Sequence, residues 1–156
     1  MIMNLFKKIA PLGILVLACL PLQSAAQTTV TYTADSTMSD AMVANGGVEN
    51  SNFGSQNQFN VYYQVNQQIP MAFRTFIQYD LNAIPSNATI TEAKLKFMTL
   101  SVNNAITHDL YVERVGNTSW AENTITWNNQ PSVISSDQIT IPHAQTSSTG
   151  LHEFTV

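Results

Sequence analysis

The strongest constraint on this chain is a two-residue rhythm that recurs along most of its length. From Met71 to Leu81, the residues Met71, Phe73, Thr75, Ile77, Tyr79 and Leu81 fall on one side, while Arg74, Gln78 and Asp80 fall on the other. Successive side chains of an extended chain point to opposite faces, so this pattern fits a half-buried strand and no amphipathic helix. Shorter runs repeat it at Thr28–Thr33, Phe59–Val65, Leu110–Val115, Thr124–Trp127, Gln138–Ile141 and Leu151–Val156. Between them lie Asn45-Gly46-Gly47, Asn52-Phe53-Gly54, Ile84-Pro85-Ser86-Asn87, Asn103-Asn104, Gly116-Asn117 and Asn128-Asn129-Gln130-Pro131. Gly and Asn tolerate positive φ and Pro fixes φ, so each is a natural break between strands. Many short strands at this spacing predict an all-β fold, an antiparallel sandwich or jelly roll.

One segment reads two ways. Thr91–Met98 holds good helix formers, and Glu92 could pair with Lys96 one helical turn on. Ala93, Leu95 and Phe97 nonetheless alternate with Lys94 and Lys96, and the alternation favours a strand.

The N-terminus predicts export. Lys7 and Lys8 precede an apolar stretch from Ile9 to Leu22, and Ser24-Ala25-Ala26 supplies the small residues of a cleavage site. That is the tripartite pattern of a secretory signal over residues 1–26, leaving a domain over 27–156. The stretch is shorter than the ~20 residues a membrane helix needs, and no later segment approaches that length, so the mature protein is expected off the membrane. Val16-Leu17-Ala18-Cys19 partly matches a lipoprotein cleavage box, so Cys19 is either a residue of a discarded signal or an acylated first residue. Past residue 26 there is no cysteine, so stability must come from a core; a domain of this length buries roughly two thirds of its unfolded surface. Arg74, Lys94, Lys96 and Arg114 face ten acidic residues, a net charge of −6 for residues 27–156, which disfavours nucleic acid or anionic membrane as a partner. The chain stops at Phe154-Thr155-Val156, inside an expected strand, and reads as a piece of a longer protein with additional domains.

The order of motifs resembles the DNRLRE domain family, which overlaps carbohydrate-binding module family 96. Thr33-Ala34-Asp35-Ser36-Thr37 is similar to the family's opening strand, and Asn50-Ser51-Asn52-Phe53-Gly54 to its N-x-N-Y-G turn, with Phe53 for Tyr. Arg74-Thr75-Phe76-Ile77-Gln78-Tyr79-Asp80-Leu81 and Ile84–Leu95 resemble two further family motifs. Trp120-Ala121-Glu122-Asn123-Thr124-Ile125-Thr126-Trp127-Asn128-Asn129-Gln130-Pro131 follows W-x-E-x-T-(I/V)-T-W-N-x-x-P closely. The resemblance covers nearly all of residues 27–156. It implies a jelly-roll β-sandwich on a secreted or cell-surface, often multidomain protein, with polysaccharide binding in some members. It also implies closing strands beyond Val156, hence a domain truncated at its C-terminus.

Candidate site residues follow from chemistry. An exposed Trp or Tyr can stack on a sugar ring, which nominates Trp120 and Tyr62; Trp120 and Trp127 serve equally as core anchors. Arg74 can grip the carboxylate of a uronic acid or pair with Asp80 or Glu122. Asp35, Asn50 and Asn52, with Asp40 and Glu49 nearby, form an oxygen-rich region that could hold a structural calcium ion; no cofactor is otherwise required. For catalysis, His108, His143 and His152 lack zinc spacing and no nucleophile elbow is present. A non-catalytic module binding extracellular polysaccharide is the leading expectation. A structural surface domain without glycan affinity is the alternative, and a polysaccharide lyase or hydrolase ranks third.

Overall fold

A computed structural model describes residues 27–34, 38–58, 60–66, 69–102 and 108–156. The signal segment 1–26 with Cys19, the candidate ligand Asp35, and the expected turn at Asn103-Asn104 lie outside the described residues. The chain divides into units 1–30 and 31–156, and every element below belongs to the second.

The described residues form seven strands: β1 (Met38–Ala44), β2 (Tyr62–Asn66), β3 (Ile69–Tyr79), β4 (Lys94–Thr99), β5 (Leu110–Val115), β6 (Val133–Ile141) and β7 (Gly150–Thr155). A 3-10 turn at Trp127–Asn129 and a single helical turn α1 (His143–Thr146) complete them. All four pairings are antiparallel and fall into three sheets, β1-β3-β2, β4-β7 and β5-β6. The fold is therefore all-β and antiparallel, as the alternation requires. Among the described residues, no helix is long and apolar enough to cross a membrane.

β3 is the centre of the first sheet. Its register sets Ala41 opposite Phe76 and Val43 opposite Arg74, so these four share one face. Pro70 sits past Phe73, the last residue paired with β1, where β2 alone lies alongside and a missing N–H breaks no second ladder. After β1 the chain turns through Gly46 (φ 85°) and Gly47 (φ 103°). Both glycine N–H groups donate to Glu49 Oε1, at 2.9 and 3.0 Å. Ala72 N–H donates to Asn45 Oδ1 (2.6 Å), so a side chain extends the ladder beyond β1.

The even-numbered side of β3, expected to be the polar face, carries the core. Phe76 lies between Arg74 and Gln78, is 4% exposed, and clusters with Ala41, Val43 and Ile125. One large aromatic ring outweighs its polar neighbours in deciding which face is covered. The opposite side is half-buried as well, since Met42 and Ala44 of β1 are buried there.

The ambiguous segment Thr91–Met98 is a strand from Lys94 onward, with no helix. Lys96 pairs with Glu153 across β7 (2.6 Å), and Lys94 with Glu153 (3.1 Å) and Glu92 (3.3 Å). Leu95 and Phe97 face inward against Phe154 and His152, with ring centroids 5.5 Å apart for Phe97 and Phe154.

Two expected strands do not form. Thr28–Thr33 has β-rich composition but is not a strand, and propensity alone does not make one. Thr124–Trp127 is a turn: Thr124 N–H and Ile125 N–H both donate to Ala121 O (3.0 and 2.9 Å). Asn129 Oδ1 accepts from Thr126 N–H (2.6 Å) and Thr126 Oγ1 (3.2 Å), and Asn129 Nδ2 donates to Thr124 O (3.0 Å). These local side-chain bonds satisfy the backbone that a strand would have paired.

Candidate functional site

The β5-β6 ladder is a hairpin with an unusually long connection. Gly116 N–H donates to Ser132 O (2.7 Å), which closes the ladder and leaves residues 117–131 as the loop. Connections this long in compact domains are uncommon and tend to carry function. This loop does not hang free. Ile125, 2% exposed, inserts into the Ala41–Val43–Phe76 face, and Trp120 packs against Phe76 with ring centroids 5.9 Å apart. A core residue thus comes from a loop and caps the face of a sheet to which the loop does not hydrogen-bond as a strand.

Beside Trp120 lies an open depression of about 250 Å3, lined by Asn117, Ser119, Trp120, Asn129, Gln130, Pro131 and Ser132. The lining combines one half-buried indole, a proline ring, three amides and two hydroxyls, with no ionised side chain. Several of these groups are already oriented. Asn117 Oδ1 accepts from Ser119 N–H (3.2 Å) and Ser119 Oγ (2.9 Å), which turns the Asn117 amino group away from that bond. Gln130 Nε2 donates to Trp127 O (2.7 Å), and Gln130 Oε1 accepts from Arg74 Nη1 (3.1 Å). The arrangement can hydrogen-bond hydroxyl groups; its exposed surface is mostly polar, because the Trp120 ring is turned largely against Phe76.

Arg74 touches this site through Gln130 and is not part of its lining. Its guanidinium lies 4.8 Å from the centroid of the Trp127 ring, a cation–π contact, and its one hydrogen bond described is to Gln130. The expected alternatives, a pair with Asp80 or with Glu122, are not what the geometry shows. Arg74 is thus connected to the concavity that Trp120 lines through its hydrogen bond to Gln130. Tyr62 is placed by its backbone on β2, opposite Phe73, and its ring is outside the described atoms.

Asn50 and Asn52 are engaged elsewhere. Asn52 Nδ2 donates to Glu122 O (2.8 Å) and Ile125 O (2.7 Å), and its Oδ1 accepts from Gly54 N–H (3.2 Å). Asn50 Oδ1 accepts from Asn128 Nδ2 (2.8 Å). Both side chains tie the 49–54 turn to the 117–131 loop. Glu49 in the same turn holds its carboxyl below the usual range, through the Gly47 N–H first. Asp40 is pushed the other way, by partial burial and then by the charge of Glu122. Among the described residues, no three His, Cys, Asp or Glu side chains gather as a metal site.

The lining residues Asn117, Ser119, Asn129, Gln130, Pro131 and Ser132 were not singled out from the sequence. Asn128-Asn129-Gln130-Pro131 was legible there as a breaker, and the density of amides beside two tryptophans was the available signal.

A family model described as carbohydrate-binding module family 96 matches residues 28–156. No curated protein and no solved structure matches the chain.

Proposed function

The chain belongs to carbohydrate-binding module family 96, and from that premise we propose that it is a secreted, non-catalytic module that binds extracellular polysaccharide at the Trp120 concavity. The observation that carries this reading is the lining: an aromatic ring beside oriented amides and hydroxyls, on a loop clamped to a sheet. Neutral hydrogen-bonding groups in a mostly polar depression beside a half-buried indole suit a ligand rich in hydroxyls. Arg74, one hydrogen bond behind Gln130, favours polymers that contain uronic acids, because it places positive charge close to the concavity without occupying it. The module acts as one domain of a larger extracellular or cell-surface polypeptide.

A second reading has its own support. Trp120 and Trp127 both pack on the core cluster, as they would in a structural domain without glycan affinity. Affinity electrophoresis separates the two. Retardation in gels containing a uronate polymer or a neutral glycan, relieved by Trp120→Ala, supports binding at the concavity. Unretarded migration in both gels defeats it and leaves the structural reading.

A further inference from the structure

We propose that Asn52 is a positioning residue for the Trp120 concavity, acting from outside it through the backbone of the 117–131 loop. This inference rests on the concavity being the ligand site. One amide nitrogen, Asn52 Nδ2, spends both hydrogens on the loop, at Glu122 O and Ile125 O. These carbonyls bracket the turn that separates Trp120 from the wall formed by Asn129, Gln130 and Pro131. The Gly54 N–H bond to Oδ1 fixes which end of the Asn52 amide faces the loop. Gly54 itself lies so close that a Cβ there would run into the Glu122 carbonyl.

Two more contacts continue the grip. Asn128 N–H donates to Glu49 O (3.2 Å), and Asn128 Nδ2 donates to Asn50 Oδ1. The 49–54 turn thus holds the loop from Glu122 to Asn128, the span joining the two sides of the concavity, while none of its residues lines the concavity. A site held loosely by its supporting contacts loses affinity even when every lining residue is present. Any influence of Asn52 on a ligand therefore passes through the placement of Trp120 and Asn129–Pro131.

The test uses the full chain carrying Trp127→Phe, which leaves Trp120 as the sole tryptophan. Asn52→Asp keeps the shape but turns a donor toward two carbonyls into an acceptor. Asn50→Ala is a milder variant that removes one contact. Leu95→Ala, in the β4-β7 ladder, destabilises the fold without touching the bonds between the 49–54 turn and the 117–131 loop. Acrylamide quenching of Trp120 without ligand is expected to rise in Asn52→Asp, to rise less in Asn50→Ala, and to match the parent in Leu95→Ala. Affinity for a soluble oligouronate that the parent binds is expected to fall about tenfold in Asn52→Asp, equivalent to ~1.4 kcal/mol. Unchanged quenching in both Asn variants, an equal rise in Leu95→Ala, or raised quenching with unaltered affinity each overturns the proposal. Should Asn52→Asp not fold, Asn50→Ala decides by the same readouts. A parent that binds no glycan defeats the proposed function, and the quenching comparison then decides the positioning role alone.

Discussion

Replacing Ile125 by alanine tests whether a loop supplies the keystone of the core. Ile125 is 2% exposed and packs with Ala41, Val43 and Phe76, with Trp120 and Trp127 around it. The substitution removes three buried carbons, each worth ~0.8 kcal/mol of transfer free energy, or ~2.4 kcal/mol in all. A cavity term follows, because Ala41 and Val43 sit on a paired strand and collapse poorly into the space; the total is about 3–4 kcal/mol. With an unfolding entropy of ~2.1 cal/mol/K per residue, a unit of this length loses about 4 °C per kcal/mol, so Tm falls by roughly 12–15 °C. Urea unfolding followed by far-UV circular dichroism should show the midpoint shift with little change in slope. Leu151→Ala is the control: Leu151 is 67% exposed and its loss should cost within about 0.5 kcal/mol. An Ile125→Ala cost no larger than that of Leu151→Ala would refute the packing described.

Other outcomes follow from the side-chain environments. Arg74→Lys keeps the charge but loses the planar stack on Trp127 and the fixed bond to Gln130; it should cost about 0.5–1 kcal/mol in thermal unfolding and alter the tryptophan emission. The carboxyl of Glu153 is held low by Lys96 and then Lys94, that of Asp137 by Arg114, and that of Glu49 by backbone N–H groups. Their contribution is present above the ordinary carboxylate range and lost as pH falls through the lowered values, so a Tm–pH profile should decline on the acid side, less steeply in Glu153→Gln. Asp40, with its pKa raised by burial and Glu122, has the opposite sign: its favourable state is lost as pH rises, so Asp40→Asn should raise Tm at neutral pH, with the gain vanishing in acid.

The strands legible in the sequence are those with one covered face and a clear partner. β7 lies within a residue of Leu151–Val156 because its pattern alternates, whereas β5 keeps the bounds Leu110–Val115 although an irregularity between Val112 and Arg114 interrupts its alternation. β1 has no strand signature because Ala41, Met42, Val43 and Ala44 are all buried, which erases the alternation, and Met and Ala favour helix as readily as strand. Thr124–Trp127 misled in the other direction: its β-branched and aromatic residues suggest a strand, whereas the Asn129 side chain closes a turn around them. The site was legible only in part. Trp120 and Arg74 could be nominated by residue type, but the link between them passes through Gln130 and Trp127, and a link of that kind has no local signature. The same holds for Asn52, whose partners lie more than seventy residues along the chain. Asn50 and Asn52, nominated for their oxygens, also bind the 117–131 loop by side-chain hydrogen bonds.

The most direct test of the account is amide hydrogen exchange on the intact chain with and without a soluble polysaccharide fragment that retards it in gels. A ligand seated in the concavity should slow exchange across residues 117–132, with a smaller effect at the 49–54 turn behind it. Protection confined to the β4-β7 ladder or the outer face of β5-β6, with 117–132 unchanged, would contradict it.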